Sequence, residues 1–276
     1  MNIDHSLLKE KSRLIRRDII EMLHKSGSGH PGGSLSATDI VTALYFHQMN
    51  IDPKNPKWVD RDRFVLSKGH AAPVVYAVLA EKGYFDKKEL SNLRQVNSML
   101  QGHPDMKGTP GVEMSTGSLG QGFSAASGMA IAGKMDNKDY RVYVLLGDGE
   151  LQEGIIWETA MSAVHYKLDN LTAIIDYNKL QIDGTNSQVM GVDPITDKFT
   201  AFGWNVLEID GHCFEDIITA LEEAKNTKGK PTVIVAHTIK GKGVSFMENQ
   251  VGWHGNAPKD DDREKALKEL GGVNND

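Results

Sequence analysis

The stretch YRVYVLLGDGELQEGIIWE, Tyr140 to Glu158, decides the fold. It opens with a run of apolar and β-branched residues that reads as a buried strand. Gly147-Asp148-Gly149 follows at the carboxyl end of that strand, and a helical pattern through Trp157 comes next. Other β-rich runs lie to either side: RFVLS (63–67), LTAIID (171–176), WNVLEID (204–210) and PTVIVAHT (231–238). Helical patterns alternate with them over 122–135, 153–167 and 214–226. The alternation predicts an α/β fold: a doubly wound, mostly parallel sheet with helices on both faces. One domain spanning 1–276 is the simplest count. Ligands of such sheets sit beyond the carboxyl ends of the strands, where Gly147-Asp148-Gly149 lies.

Composition narrows the partners. The formal net charge of -6 offers no polybasic surface, so nucleic acid is not expected. No apolar run approaches the roughly 18 residues of a membrane span, so no membrane is expected either. The amphipathic start, residues 1–23, carries acidic side chains and reads as a folded helix, not a signal or transit peptide. The single cysteine, Cys213, rules out an intrachain disulfide and fits a cytoplasmic location.

An aspartate between two glycines at a strand end has two readings. It starts the next helix as a cap, or it is an oxygen ligand for a hard cation such as Mg²⁺ or Ca²⁺. The second reading demands another oxygen ligand at the end of a neighbouring strand. Asn178 stands just past LTAIID, thirty residues after Asp148 (178 − 148), with one helix between them as a βαβ unit requires.

Gly147-Asp148-Gly149, this spacer and Asn178 resemble the thiamine diphosphate-binding motif. The wider sequence resembles transketolase, and most of all the separate N-terminal subunit of split transketolases. The resemblance runs through SGSGHPGGSLSATDI (26–40), SKGHAAP (67–73), QGHPD (101–105), STGSLGQG (115–122), GDGELQEG (147–154), DYNKLQIDG (176–184) and WHGNAP (253–258). It implies thiamine diphosphate as cofactor, with Mg²⁺ held by Asp148, Asn178 and the Leu180 carbonyl; Ca²⁺ or Mn²⁺ are the substitutes. It places Gly117, Ser118, Leu119, Gly149, Asn178, His70 and His254 against the cofactor. The implied reaction moves a two-carbon ketol unit from a ketose to an aldose, either one a sugar phosphate, as in pentose phosphate metabolism. The same resemblance implies a second, pyrimidine-binding domain on a separate C-terminal subunit, absent from this chain, and a dimer of heterodimers.

Four histidines lie beside glycines: His30, His70, His103 and His254. One histidine in such a setting is usually a loop residue of no consequence. Four at loop positions of one sheet suit sugar chemistry, which needs proton donors and acceptors near neutrality. The resemblance gives all four to catalysis, with His30 and His254 on substrate. The other six histidines lack such a context and are expected to have no role in the site.

Other residues remain open between two readings. Glu153 and Glu158 suit a first helical turn, where the dipole favours carboxylates; the resemblance gives Glu153 a subunit-interface hydrogen-bond network that communicates with the cofactor. Lys240 and Lys242, in TIKGKGVSF, read as a solvated loop in preference to a phosphate contact. The run Met99-Leu100-Gln101 departs from the Arg-Thr-Pro of one-chain transketolases, which puts that loop's substrate contacts in question. Two other classes compete: another thiamine diphosphate enzyme, either a deoxyxylulose-phosphate synthase or the α chain of a 2-oxoacid dehydrogenase, and a non-catalytic cofactor-binding module.

Overall fold

The computed structural model describes residues 4–271. Five parallel strands form its sheet: β1 (Arg63–Leu66), β2 (Val142–Gly147), β3 (Leu171–Tyr177), β6 (Asn205–Asp210) and β7 (Thr232–His237), in the order β1-β2-β3-β7-β6. Two short strands, β4 (Leu180–Gln181) and β5 (Gly184–Thr185), make a separate antiparallel ribbon directly after β3. The five expected strands are all present, and every pairing in the large sheet is parallel.

The two faces of the sheet are covered by different helices. Tyr143, Leu145, Ile174 and Ile234 point into one core with α1 (His5–Ser26), α3 (Thr38–Ala43), α4 (Ala72–Lys82) and α9 (Phe214–Asn226). Val142, Val144, Ala173 and Val233 point into the other with α5 (Gln121–Met135), α6 (Gly154–His165) and α8 (Ile195–Phe202). Successive residues of a strand face opposite sides, so burying both faces requires the unbroken apolar run seen in β2. β6 is an edge strand and is buried only in part.

Helix ends follow their local chemistry. Asp4 caps α1 by accepting from Leu7 N–H, and Gly27, at φ +62°, closes it with N–H bonds to Leu23 and His24. The glycine-rich stretch after α1 forms two short helices, α2 (Pro31–Ser36) and α3, and the next residues, Leu44–Gln48, make a π-helical turn. The remaining helices are α7 (Asn186–Val189) and α10 (Asp260–Glu269).

Strand β1 ends where α5 begins. A Cβ on Gly122, in the first turn of α5, would lie 2.7 Å from Ser67 Cα, immediately after β1. The helix can approach this closely only with hydrogen at that position. Gly122→Ala should therefore lower the unfolding free energy of the chain by about 1–3 kcal/mol, the usual cost of overpacking. Urea unfolding checks this, and an unchanged midpoint would contradict the contact.

Candidate active site at the carboxyl edge of the sheet

The carboxyl ends of four adjacent strands deliver the site. β1 leads to Lys68 and His70, β2 to Asp148, β3 to Asn178 and Leu180, and β7 to Lys240. Their side chains meet, with Gly33 of α2 and His254 of the late loop, around a cleft of about 170 Å³.

An ion pair lies beneath this cleft. The Lys68 ammonium, 1% exposed, bonds the Asp176 carboxylate, which is fully buried at the end of β3. Asp176 also accepts from Ser36 Oγ at 2.6 Å, from Thr238 Oγ1, and from Asn178 Nδ2 at 3.2 Å. Burial opposes its charge, but Lys68 and the hydroxyls outweigh burial and hold the carboxyl below its ordinary value.

Asp148 is both a cap and a candidate ligand. Its side chain accepts from Gly149 N–H at 2.8 Å and from Lys179 N–H, so it closes the 3₁₀ turn Gly149–Gln152 and fastens the segment after β3. The cap serves that turn, and α6 begins only at Gly154. Burial, with the nearby charge of Asp176, pushes the Asp148 carboxyl up to about 6. Asn178 Oδ1 accepts from Leu180 N–H at 3.2 Å, and the Leu180 carbonyl accepts from Lys240 Nζ at 3.0 Å.

Glu150 joins two glycine turns. Buried, it accepts from Gly147 N–H at 2.9 Å, from Gly120 N–H at 2.7 Å and from Ser67 Oγ at 2.5 Å. The 115–122 turn is thereby fixed to the Gly147-Asp148-Gly149 turn, which brings Leu119 to the cleft. Ser118 is exposed, and Gly117 packs against the His103 ring, where a Cβ would meet it at 3.4 Å.

Three of the histidines converge. The ring centroids of His30, His70 and His254 are 5.2–5.5 Å apart. His254 Nδ1 lies 2.8 Å from Lys240 Nζ, and His30 Nδ1 is buried without a hydrogen-bond partner. Burial, then the charges of Arg94, His103 and Lys240, lower His30 to about 4. Burial, then Lys240 and His30, lower His254 to about 3. His70 is lowered as well, by burial and then by Lys68. His103 sits apart beside Gly117, on a loop held by Leu100, which is fully buried. The Tyr76 hydroxyl also holds that loop, bonding the carbonyls of Gln101 and His103 at 2.9 and 3.0 Å. The departure at Met99-Leu100-Gln101 thus leaves the loop anchored to the core.

Two readings of the sequence need correction. Lys240 belongs to no solvated loop: it is 2% exposed and forms one wall of the cleft, with burial, then Lys68, lowering it to about 8. Lys242 is partly exposed, beside Glu248. Neither Glu153 nor Glu158 is a first-turn carboxylate of α6. Glu153 occupies the cap position with no bond from its side chain and borders the cleft, and Glu158 stands in the second turn. Sequence reasoning also passed over Lys68, Asp176 and Glu150. All three lie inside the motifs of the resemblance, and a lysine and an aspartate at the ends of otherwise apolar strands were the available signal.

Neutral buried rings carry a pH signature. His30 and His254 titrate below the ordinary value of 6.5 once folded, so the unfolded chain takes up protons first as pH falls. The stability they contribute is complete above the unfolded value and is lost as pH falls toward the folded ones. Between about pH 7 and about pH 5 the Tm of the unaltered chain should fall further than that of the His30→Gln, His254→Gln double variant. Parallel falls in a differential scanning series would refute neutral burial of these rings.

Fold and cleft together define the class: a parallel α/β protein whose strand ends gather oxygen ligands, two buried ammonium groups and neutral imidazoles around one cleft. The chain belongs to the transketolase family, whose model, described as the transketolase thiamine diphosphate binding domain, matches residues 6–276. It is 51% identical over 247 residues to the 6-deoxy-6-sulfo-D-fructose transketolase subunit SqwG of a Clostridium species, covering 90% of each chain. It is 46% identical to an apulose-4-phosphate transketolase subunit of Phocaeicola vulgatus, covering 95% of this chain and 93% of that one. Human transketolase is 43% identical over 95% of this chain, which spans 42% of its length. The crystal structure of transketolase from Campylobacter jejuni superposes with a TM-score of 0.92 at 38% identity, covering all of this chain and 44% of that one.

Proposed function

We propose that the chain is the diphosphate-binding half of a two-chain transketolase, moving a two-carbon ketol unit from a ketose to an aldose. The observation that carries the reading is the meeting of three neutral histidine rings beside the oxygen donors at the carboxyl edge of β2 and β3. Relatives of similar length are named as subunits, which supports a separate partner chain.

The residues present fit thiamine diphosphate and a divalent cation. Asp148, Asn178 and the Leu180 carbonyl form an all-oxygen donor set of the kind Mg²⁺ prefers, and Ca²⁺ or Mn²⁺ would serve there too. A Cβ on Gly33 would stand 3.7 Å from Lys68 Nζ and 3.6 Å from His70 Nε2, so the glycine leaves this wall of the cleft open. Lys68, Lys240 and His70 would face the diphosphate oxygens, while Gly149, Gly117, Ser118 and Leu119 would line the rest of the cofactor's path. When bound, thiamine diphosphate supplies the electron sink for breaking a carbon–carbon bond beside a carbonyl.

The chain's own residues then handle protons. His30 and His254, neutral at physiological pH, can accept the proton of a sugar hydroxyl as the adjacent carbon–carbon bond opens and return it in the reverse sense. His103 and His70 would hold the remaining hydroxyls and the cofactor. Glu153, at the rim of the cleft, suits an interface hydrogen bond. The substrate class is an anionic ketose, in line with the sulfonated and phosphorylated sugars in the names of the relatives. We place the reaction in the cytoplasm, a reducing setting that a chain with the single cysteine Cys213 suits.

The metal assignment has a direct consequence. Asp148→Ala should abolish Mg²⁺-dependent thiamine diphosphate binding while the far-ultraviolet circular dichroism stays the same; calorimetry showing unaltered affinity would overturn the assignment.

Assembly is the other half of the proposal. The chain should pair with a C-terminal subunit carrying the pyrimidine-binding domain, over an obligate-type interface above about 2,000 Å², in a dimer of heterodimers. Titrating that subunit into purified chain at fixed thiamine diphosphate and Mg²⁺ should raise turnover and cofactor affinity in step. Full turnover by this chain alone would refute a divided site.

A further inference from the structure

A second buried charge network lies behind the cleft, on residues with no part in the proposed chemistry. The Asp39 carboxylate in α3 accepts from both terminal nitrogens of Arg16 in α1, at 2.7 and 2.9 Å, and from Ser12 Oγ. Its Oδ2 also lies 2.8 Å from Nδ1 of His212, in the turn after β6. The other ring nitrogen of His212, Nε2, is 2.9 Å from the backbone N–H of Ile239. Side-chain exposures of 7% for Asp39, 9% for Arg16 and 11% for His212 leave little room for water to substitute.

The donors and acceptors fix the state of the ring. A backbone N–H can only donate, so Nε2 must present its lone pair to Ile239. Nδ1 therefore carries the proton and donates to Asp39. Burial opposes the Asp39 charge, but Arg16, His212 and Ser12 together hold the carboxyl well below its ordinary range, so it stays an acceptor. His212 is one of the histidines expected to have no role.

The partners of this network are the two backbone segments that carry the cleft. Ile239 precedes Lys240, whose ammonium meets the Leu180 carbonyl and His254 Nδ1. Arg16 Nε donates to the Lys242 carbonyl at 3.0 Å, and Gly241 N–H donates to the Gly32 carbonyl at 3.0 Å, beside Gly33. Lys240 is a long, flexible side chain, and its head can be placed only as well as its backbone is held.

We infer that His212, in its Nδ1–H tautomer, is a positioning residue: with Asp39 it holds the Ile239 N–H and thereby sets Lys240 against the cofactor cleft. The inference rests on the proposed thiamine diphosphate site. It assigns His212 no contact with cofactor or substrate.

Two measurements test it. Nitrogen-edited NMR of the full chain, selectively labelled at histidine, should show the His212 ring with a protonated Nδ1 and a bare Nε2; the opposite tautomer overturns the proposal. Thiamine diphosphate affinity, measured by calorimetry with Mg²⁺ and the partner subunit, should weaken about tenfold or more in His212→Phe, since small misplacements of a binding group are costly. His212→Gln keeps an acceptor within reach of Ile239 and should recover most of the affinity. If both variants lose thermal stability alike but bind as tightly as the unaltered protein, His212 is structural and the proposal is wrong. If His212→Phe does not fold, His212→Asn replaces it, since its shorter side chain falls short of the Ile239 N–H: affinity weakened several-fold relative to His212→Gln supports positioning, and affinity equal to that of the unaltered protein overturns it. An unaltered complex that binds no thiamine diphosphate would instead overturn the cofactor reading, and this inference with it.

Discussion

The site depends on one interaction, the buried pairing of Lys68 with Asp176. Four parallel strands ending side by side bring polar groups to one edge, and the most buried of these is a carboxylate in the sheet itself. An isolated charge there would be prohibitive, and an ion pair alone seldom repays its desolvation. Asp176 is kept charged because Ser36, Thr238 and Asn178 complete its hydrogen bonds. Each of those partners comes from a different segment: α2, the exit of β7, and the turn after β3. One carboxylate thus sets the relative positions of most of the segments that face the cleft. Asp39 repeats the device on the outer side, where Arg16 and His212 play the parts of Lys68 and the hydroxyls.

Such packing explains the electrostatics of the cleft. Lys68 and Lys240 are both buried, and the charge of the first lowers the pKa of the second. Burial first, and neighbouring positive charge after it, keep the three converging imidazoles neutral. The result is a wall in which positive charge and uncharged proton acceptors stand side by side, Lys240 Nζ lying 2.8 Å from His254 Nδ1. The diphosphate and sugar hydroxyl of the proposed function have opposite requirements, and such a wall suits both.

Much of the sheet was legible in the sequence because strands buried on both faces leave an unmistakable mark. The runs 63–67, 140–146, 171–176, 204–210 and 231–238 all became strands, with ends shifted by at most two residues. Helix α4 left no comparable mark: Pro73 to Ala80 is buried on every side, and a helix without a wet face has no apolar period to detect. The stretch from Ser26 to Ile40 misled in another way, since its glycines suggest a loop and the chain folds it into short helices. Among the candidate site residues, motif and strand-end position pointed to Asp148, Asn178, His30, His70 and His254, which the structure brings to one edge, and to His103, which sits apart. Lys240 was misjudged because glycines follow it on both sides of Lys242; it is enclosed by Gly32, Leu180 and His254, all distant along the chain. Asp39 and His212 had no local signal at all, because neither gains meaning until tertiary structure joins them.

Glu150 carries a consequence for how such a site can change over time. Its carboxylate takes the amides of Gly120 and Gly147 and the hydroxyl of Ser67, which belong to three different segments. Replacing Glu150 strands two backbone amides and a hydroxyl at once, and replacing Ser67 leaves the carboxylate one donor short; the amides of Gly120 and Gly147 survive any change of side chain except to proline. A change at Glu150 that keeps the frame therefore needs a new acceptor for all three donors. The His30 side chain carries no such mutual lock: its Nδ1 has no partner, and Gly255 leaves the space beside that ring open. Removing this ring strands no hydrogen-bond partner, so the frame around Glu150 stays in place when the ring is lost.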